Sequence, residues 1–405
     1  MAAAGDASTL TIHSFWPWGS SRETMSSPEQ SQVGAVVLAA GKSTRMGEPK
    51  PLVELDSKPM LESTLANLRA SRVYSIVLVL GFAADAVLRR IGPDAIDVVI
   101  NQDYEQGMTS SLRLGLSGLD AGVNAALIVL ADQPFIRPET YNKIIDEYLR
   151  SDAKIVIPMY RGFRGNPVLL DRSVFPEVMA LTGDIGCRAI FGDHPDGIVK
   201  AAVDDIGILL DIDNQEDLAR SQRYAQREHD RDSMLEMIEL RGRSVSSTEE
   251  TPSDQNHLIV VGAEPVAIAL AKLAKVMQFN VTVDDPLLVP SDLPEADDVC
   301  NSLDLSKLPA GSNRYGVIAS RGRFDEEAIE QALQAQIGYI ALVANRQRAQ
   351  EVRRRLEKNG YSADQLEALH SPAGLDIRAT TPEEIALSIL AQIVSWKNKT
   401  AENNF

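Results

Sequence analysis

The segment Leu38 to Leu52, LAAGKSTRMGEPKPL, holds the residues with the most obvious chemical use in this sequence. Small residues at Ala39, Ala40 and Gly41, just past Leu38, let backbone amides approach a ligand closely. Lys42, Arg45 and Lys50 place three cations where a triphosphate would lie. Such a loop suits an anion, although a basic surface turn is the competing reading. It is not a Walker loop, because GxxxxGK[ST] is absent. A second feature is Asp132-Gln133-Pro134, which follows directly on an apolar run. A carboxylate there could hold Mg²⁺ between phosphate oxygens, since hard cations prefer oxygen ligands. The same aspartate could instead cap a helix over Phe135 to Tyr141. Asp211 and Asp213, in Leu210-Asp211-Ile212-Asp213-Asn214, could complete the metal shell if the chain returns to the strand ends, or could simply end a strand.

Further polar residues flank these. Gly81 closes the run SIVLVLG. Asn101 and Gly107-Met108-Thr109-Ser110-Ser111 offer backbone and hydroxyls for a nucleotide, with Ser110 and Ser111 as candidates beside Gly107. Thr109 or Ser110 could equally serve as an ordinary helix cap. Arg161-Gly162-Phe163-Arg164-Gly165-Asn166-Pro167 and Gly183-Asp184-Ile185-Gly186-Cys187-Arg188 read by themselves as hairpin turns with surface arginines. Cys187 reads as a small apolar filler.

The elements needed to position these groups are written as alternating patterns. Gly34 to Ala40, Ser75 to Gly81, Asp97 to Asn101 and Ala125 to Ala131 are short apolar runs of the kind buried in parallel sheets. Helix patterns lie between and after them at Met60 to Arg72, Ala83 to Ile91, Ser110 to Leu119 and Pro138 to Leu149. The order is that of an α/β fold, a doubly wound, mostly parallel, Rossmann-like sheet with ligands at the carboxyl ends of its strands. Residues 1–32 read as disordered. Residues 219–256 read as a linker ending in SVSSTEETPSDQN and interrupted by a short helix over Ser233 to Arg241.

A second, smaller Rossmann-like domain follows over 257–397, with 398–405 as a tail. His257 to Pro286 reads as strand, tight turn, helix and strand, with Asp284 and Asp285 at the second strand's end. The middle glycine of G-x-G-x-x-G is missing, and Glu264 brings bulk and charge to where a pyrophosphate would need close approach. Arg346, Arg348, Asp376 and Arg378 are cofactor-docking candidates, whereas Arg353 to Arg355 read as a solvated helix face.

Composition narrows the class. At 405 residues the chain has length for two cores. Its 44% hydrophobic and 24% charged residues are ordinary globular values, and no apolar run is long enough to span a membrane. A formal charge of −17 argues against a nucleic-acid partner. The two cysteines, Cys187 and Cys300, lack CxxC spacing and fit a reducing, cytoplasmic setting.

The pattern L-A-A-G-x-S-x-R-M-G-x-x-K resembles the signature of the MobA-like nucleotidyltransferases over roughly Val33 to Leu218, a domain placed at 33–218. Its double alanine and A-D-Q-P resemble the molybdenum cofactor cytidylyltransferase branch. The D-I-D segment, N-x-x-[WY]-x-x-G-M-x-S-S, G-x-x-G-N-P and G-D-x-G-A-R segments are also similar, with Asn214 and Gln215 replacing the usual Thr and Pro. The resemblance implies Arg45, Lys50 and Asp132 as catalytic residues and Asp132, Asp211 and Asp213 as Mg²⁺ ligands. It also implies Leu38 to Lys42, Gly81, Asn101, Gly107, Ser110 and Ser111 as nucleotide-binding, and Gly165, Asn166, Pro167, Asp184 and Arg188 as an acceptor-facing wall. From Leu258 to Lys397 the chain resembles the carboxyl-terminal Rossmann domain of xanthine dehydrogenase accessory (XdhC/CoxI-type) proteins, which lend themselves to cofactor delivery.

The expected activity is therefore CMP transfer from Mg·CTP to the phosphate of molybdopterin cofactor, with pyrophosphate released and a molybdenum hydroxylase of the xanthine dehydrogenase family as client. The alternatives are a guanylyl or other NTP transferase, and a non-catalytic cofactor-binding chaperone. Every version of the transfer requires Lys50 and Asp132 to converge in space.

Overall fold

The computed structural model describes residues 32–42, 48–55, 57–92, 96–183, 186–214, 217–218, 221–222, 256–288, 292–305 and 313–402. These divide into two compact units, the first within Met1–Tyr160 and Gly165–Met237, the second within Arg161–Arg164 and Ile238–Phe405. The expected disordered start and the linker helix over Ser233 to Arg241 lie outside the described residues.

Among the described residues the first sheet and its neighbouring hairpin hold β1 (Gln32–Ala39), β2 (Glu54–Leu55), β3 (Lys58–Pro59), β4 (Ile76–Leu80), β5 (Asp97–Ile100), β6 (Val123–Leu130), β7 (Ile155–Tyr160), β8 (Phe163–Arg164), β9 (Val168–Asp171) and β10 (Ile198–Ala202). Among the described residues they are accompanied by α1 (Met60–Arg69), α2 (Ala84–Ile91), α3 (Met108–Ser117), α4 (Pro138–Leu149) and α5 (Phe175–Ala180). The main sheet runs β10-β7-β9-β6-β1-β4-β5, with β8 on β7, while β2 and β3 pair as a small hairpin.

β1 is buried along nearly its whole length, which is why its sequence shows an unbroken apolar run instead of alternation. Its side chains still divide by parity. Val33, Ala35, Val37 and Ala39 pack with Leu61, Leu65 and Leu68 of α1 and Ile144 of α4, while Val36 and Leu38 pack with Leu112 and Leu116 of α3. Both faces are thus covered, as a doubly wound sheet requires. Two details depart from the sequence reading. β9 enters antiparallel between β6 and β7, and α3 begins at Met108, two residues before the expected Ser110. Neither Thr109 nor Ser110 caps α3. Its N-cap is Gly107, whose φ of 101° turns the chain sharply into the helix.

The second fold is a six-stranded parallel sheet ordered β13-β12-β11-β14-β15-β16. Its strands are β11 (His257–Val261), β12 (Asn280–Asp284), β13 (Asp298–Cys300), β14 (Arg314–Ile318), β15 (Tyr339–Leu342) and β16 (Leu369–His370). Its helices are α6 (Pro265–Val276), α7 (Asp325–Gln334), α8 (Arg346–Lys358) and α9 (Pro382–Glu402). Ala267, Leu270 and Ala274 of α6 and Ile389, Leu390 and Ile393 of α9 cover one face of this sheet. Among the described residues no helix is long and apolar enough to cross a membrane.

Candidate active site

In the first sheet, chain order reverses beside β1: β4 and β5 lie to one side and β6 to the other. A crevice opens at the carboxyl ends of strands at such a point. Here it is a cleft of about 790 Å³. β1 supplies Leu38 and Ala39 to its wall and leads on to Ala40, Gly41 and Lys42, while β6 leads into Ala131 and Asp132.

Asp132 does not cap a helix, since α4 begins at Pro138 with Arg137 as its N-cap. Its backbone carbonyl instead accepts the amide of Ile212 at 3.1 Å, so the segment 210–213 does return to the strand end. Gln133, almost fully buried, fastens that return by donating to the Ile208 carbonyl at 3.3 Å and to Asp211 Oδ1. Three carboxyls therefore crowd one place. Burial, with the charges of Asp132 and Asp213, pushes the Asp211 carboxyl up to about 7.

Lys50 answers that charge. Its Nζ donates to Asp132 Oδ2 at 2.6 Å and to Asp213 Oδ1 at 2.6 Å, with the lysine side chain only 13% exposed. Burial alone would lower its pKa, but Asp132 first and then Asp213 outweigh that and hold the ammonium charged. Lys50 sits on a 3-10 turn between Pro49 and Pro51, whose rings fix the backbone on either side of it.

The remaining oxygen, Asp132 Oδ1, is buried and accepts no hydrogen bond among the described residues. A buried carboxylate oxygen without a partner is costly, and oxygen donors of this kind fit a hard divalent cation. Asp132 and Asp213 are the residues that could hold one. Asp211 Oδ1 is committed to Gln133. Among the described residues no three acidic, His or Cys side chains stand together as a metal shell.

The other expected residues separate into those at the cleft and those behind it. Lys42 reaches the cleft and pairs with Glu105, its ammonium 5.9 Å from the centre of the Tyr104 ring. Gly107 and Ser111 line the cleft. Asn101 does not. It is buried and donates to Ser110 Oγ and Ser111 Oγ, each at 2.9 Å, while its Oδ1 accepts the Asp103 amide, so it braces the wall. Ser110 is likewise turned to its own loop, donating to the Gly107 carbonyl at 2.8 Å. Gly81 lies behind the wall, where a Cβ would come 2.8 Å from the Ala40 carbonyl.

Gly165 and Asn166 are also outside the cleft lining. Their amides donate to the Pro158 and Ile208 carbonyls, knitting the segment before β9 into the fold, and the Asn166–Pro167 bond is cis. Gly186 lies against Met108 at the cleft rim, and the half-buried Arg188 follows on the same 3-10 stretch, Cys187–Asp193. Cys187 packs against the core, as its composition suggested. Arg45 and Asp184 lie outside the described residues. Sequence reasoning passed over Tyr104, Glu105 and the fastening role of Gln133. The aromatic in N-x-x-[WY] and the polar residue between Asp132 and Pro134 were the available signals.

At the strand ends of the second sheet, Glu264 occupies the turn after β11 as the N-cap residue of α6. Its carboxylate pairs with Arg321 at 3.1 Å and Arg323 at 3.5 Å, and Arg323 also holds the fully buried Asp285 at 3.1 Å. This network stands where G-x-G-x-x-G would leave room for a pyrophosphate. Arg348, a docking candidate by sequence, is bonded to Asp325 at 3.2 Å and to the Gly322 carbonyl. Arg355 is no solvated face residue: it is half-buried and pairs with the buried Glu326 at 2.9 Å.

Comparison with known proteins agrees with both folds. Residues 35–198 match the family described as MobA-like NTP transferase domain, and residues 258–393 the XdhC Rossmann domain. A molybdenum cofactor cytidylyltransferase of Escherichia coli is 25% identical over 201 residues, covering 48% of this chain and 99% of that protein. A nicotine blue oxidoreductase of Paenarthrobacter nicotinovorans is 28% identical over 195 residues, 46% of this chain and 95% of that protein. The uncharacterized YqeB of Escherichia coli is 30% identical over 148 residues, 35% of this chain, and the chain spans only 27% of YqeB's length.

Proposed function

Since this chain belongs to the MobA-like NTP transferases over residues 35–198 and to the XdhC Rossmann family over residues 258–393, we propose that it transfers CMP from Mg·CTP to the phosphate of molybdopterin cofactor. The working parts are a transferase domain at 33–218 and a Rossmann domain at 257–397. One observation carries the reading: Lys50 and Asp132 meet at 2.6 Å in a cleft at the carboxyl ends of β1 and β6. An acceptor phosphate oxygen attacks the α-phosphorus, the bond to the bridging oxygen breaks, and pyrophosphate leaves with its electron pair. No side-chain nucleophile is needed, so the residues act by position and charge. Ala39, Ala40 and Gly41 let the triphosphate lie close to the backbone, while Lys42, Arg45 and Lys50 balance its charge. Asp132 with Asp213 would hold Mg²⁺, which when bound draws charge from the triphosphate oxygens.

Asp211, Gln133 and Asn101 position this set without touching the reacting atoms. Arg188 would meet the acceptor from the rim, where Gly186 lies against Met108, while Gly165 and Asn166 brace the segment before β9. The relative named molybdenum cofactor cytidylyltransferase supports the acceptor and the base. The XdhC Rossmann domain supports delivery to a molybdenum hydroxylase as client. The test incubates the full chain with Mg²⁺, molybdopterin cofactor and each of the four NTPs, and measures pyrophosphate. Release is expected with CTP. Release confined to GTP would overturn the base assignment, and none with any NTP would leave a cofactor-binding chaperone.

A further inference from the structure

Lys50 occupies the place that the metal reading assigns to a cation. Its one nitrogen touches Asp132 Oδ2 and Asp213 Oδ1 at the same distance, 2.6 Å, so oxygens from two distant parts of the chain converge on a single positive atom. Gln133 adds an amide contact to Asp211. Without a cation, three carboxyls packed this closely would repel one another. Pro49 and Pro51 hold the backbone on either side of the lysine, and its four-carbon stem is the mobile part.

We propose that Lys50 is the resident counter-ion of the divalent-metal position, and that it yields this place when nucleotide arrives. The inference rests on the nucleotidyl-transfer reading only for the identity of the incoming ligand. In the absence of nucleotide, a divalent ion must displace an ammonium that has two short, charge-assisted contacts and little exposure. A triphosphate changes the balance, because its oxygens give the ammonium equivalent partners a short side-chain swing away. Metal and nucleotide then bind cooperatively, and by linkage each raises the affinity for the other by the same factor. The arrangement keeps a cation beside the carboxylates in both states and disfavours metal bound alone.

Mn²⁺ serves as the probe, its free concentration read by electron paramagnetic resonance in solutions of the full chain, with thermal melting to verify folding. Without nucleotide, Lys50→Met is expected to bind Mn²⁺ about tenfold more tightly than the wild type. The double variant Lys50→Met, Asp132→Asn is expected to lose that gain. Should the folded single variant bind Mn²⁺ no more tightly than the wild type, the placeholder role is wrong. A separate arm adds a non-hydrolysable CTP analogue, α,β-methylene-CTP, to the wild type. Tightened Mn²⁺ binding there supports the exchange. Failure of the analogue to bind at all counts against the transfer reading while the nucleotide-free comparison still decides the role of Lys50.

Discussion

Both sheets of this protein end a buried parallel strand in an acid, and the two ends have opposite characters. After β6, Asp132 faces a cleft, holds a lysine on a flexible stem and keeps one oxygen unpartnered. After β12, Asp285 is sealed at 0% exposure and fixed by Arg323, which also grips Glu264. Asp132 lies two residues past β6 and Asp285 one residue past β12. The difference lies in the partner: a lysine point charge can leave its carboxylates for a ligand, whereas a planar guanidinium shared between two buried acids is part of the packing. A strand-end acid therefore indicates a site only when its cation is free to trade partners.

The largest expected effect tests the open end. Asp132→Asn should lower pyrophosphate release about 10³-fold while the melting temperature changes little, because the side chain supports charge and not packing. A large loss of stability instead would make Asp132 resemble Asp285 and erase the contrast. Arg323→Ala probes the sealed end. It strands Asp285 as a buried, unpaired charge and should destabilise the second unit by about 3 kcal/mol in urea denaturation, with transfer rate unchanged.

Asp284 sharpens the comparison through pH. Burial, then Asp285 and Asp304, push its carboxyl up to about 7 from an ordinary 3.8. The folded state thus keeps a proton that the unfolded chain releases, and stability falls as pH rises from about 4 through 7. Asp284→Asn should remove this slope, stabilising the second unit by about 2 to 3 kcal/mol more at pH 8 than at pH 5, as read from melting curves. Equal effects at both values would place the perturbation elsewhere. The smallest effect belongs to the cleft mouth. Lys42 and Glu105 are both well exposed, so Glu105→Gln should lower the KM for nucleotide by no more than about fivefold, measured by steady-state kinetics.

Much of this was legible beforehand. Unbroken apolar runs marked β1, β4 and β6, because strands buried on both faces need no alternation; the run of β5 proved to be a partly exposed edge strand, and the helices between the strands followed from their period. Lys50 and Asp132 were identifiable as residue types beside strand ends. Asn101 and Gly81 were legible as special but misplaced by one layer: both support the cleft wall and neither lines it. A motif preserves such residues whether they touch a ligand or brace one that does. The antiparallel entry of β9 was not legible, since an apolar strand carries no mark of its direction.

The sequence by itself determined the two α/β folds, the cationic turn and the acids that follow β6 and β12, since these depend on local pattern and on residues adjacent in the chain. Only the tertiary structure decided that Lys50 serves Asp132 and Asp213 together, 82 and 163 positions away, and that Glu264 closes its own crevice with Arg321 and Arg323. Charges choose partners by distance and burial, and both are properties of the folded chain.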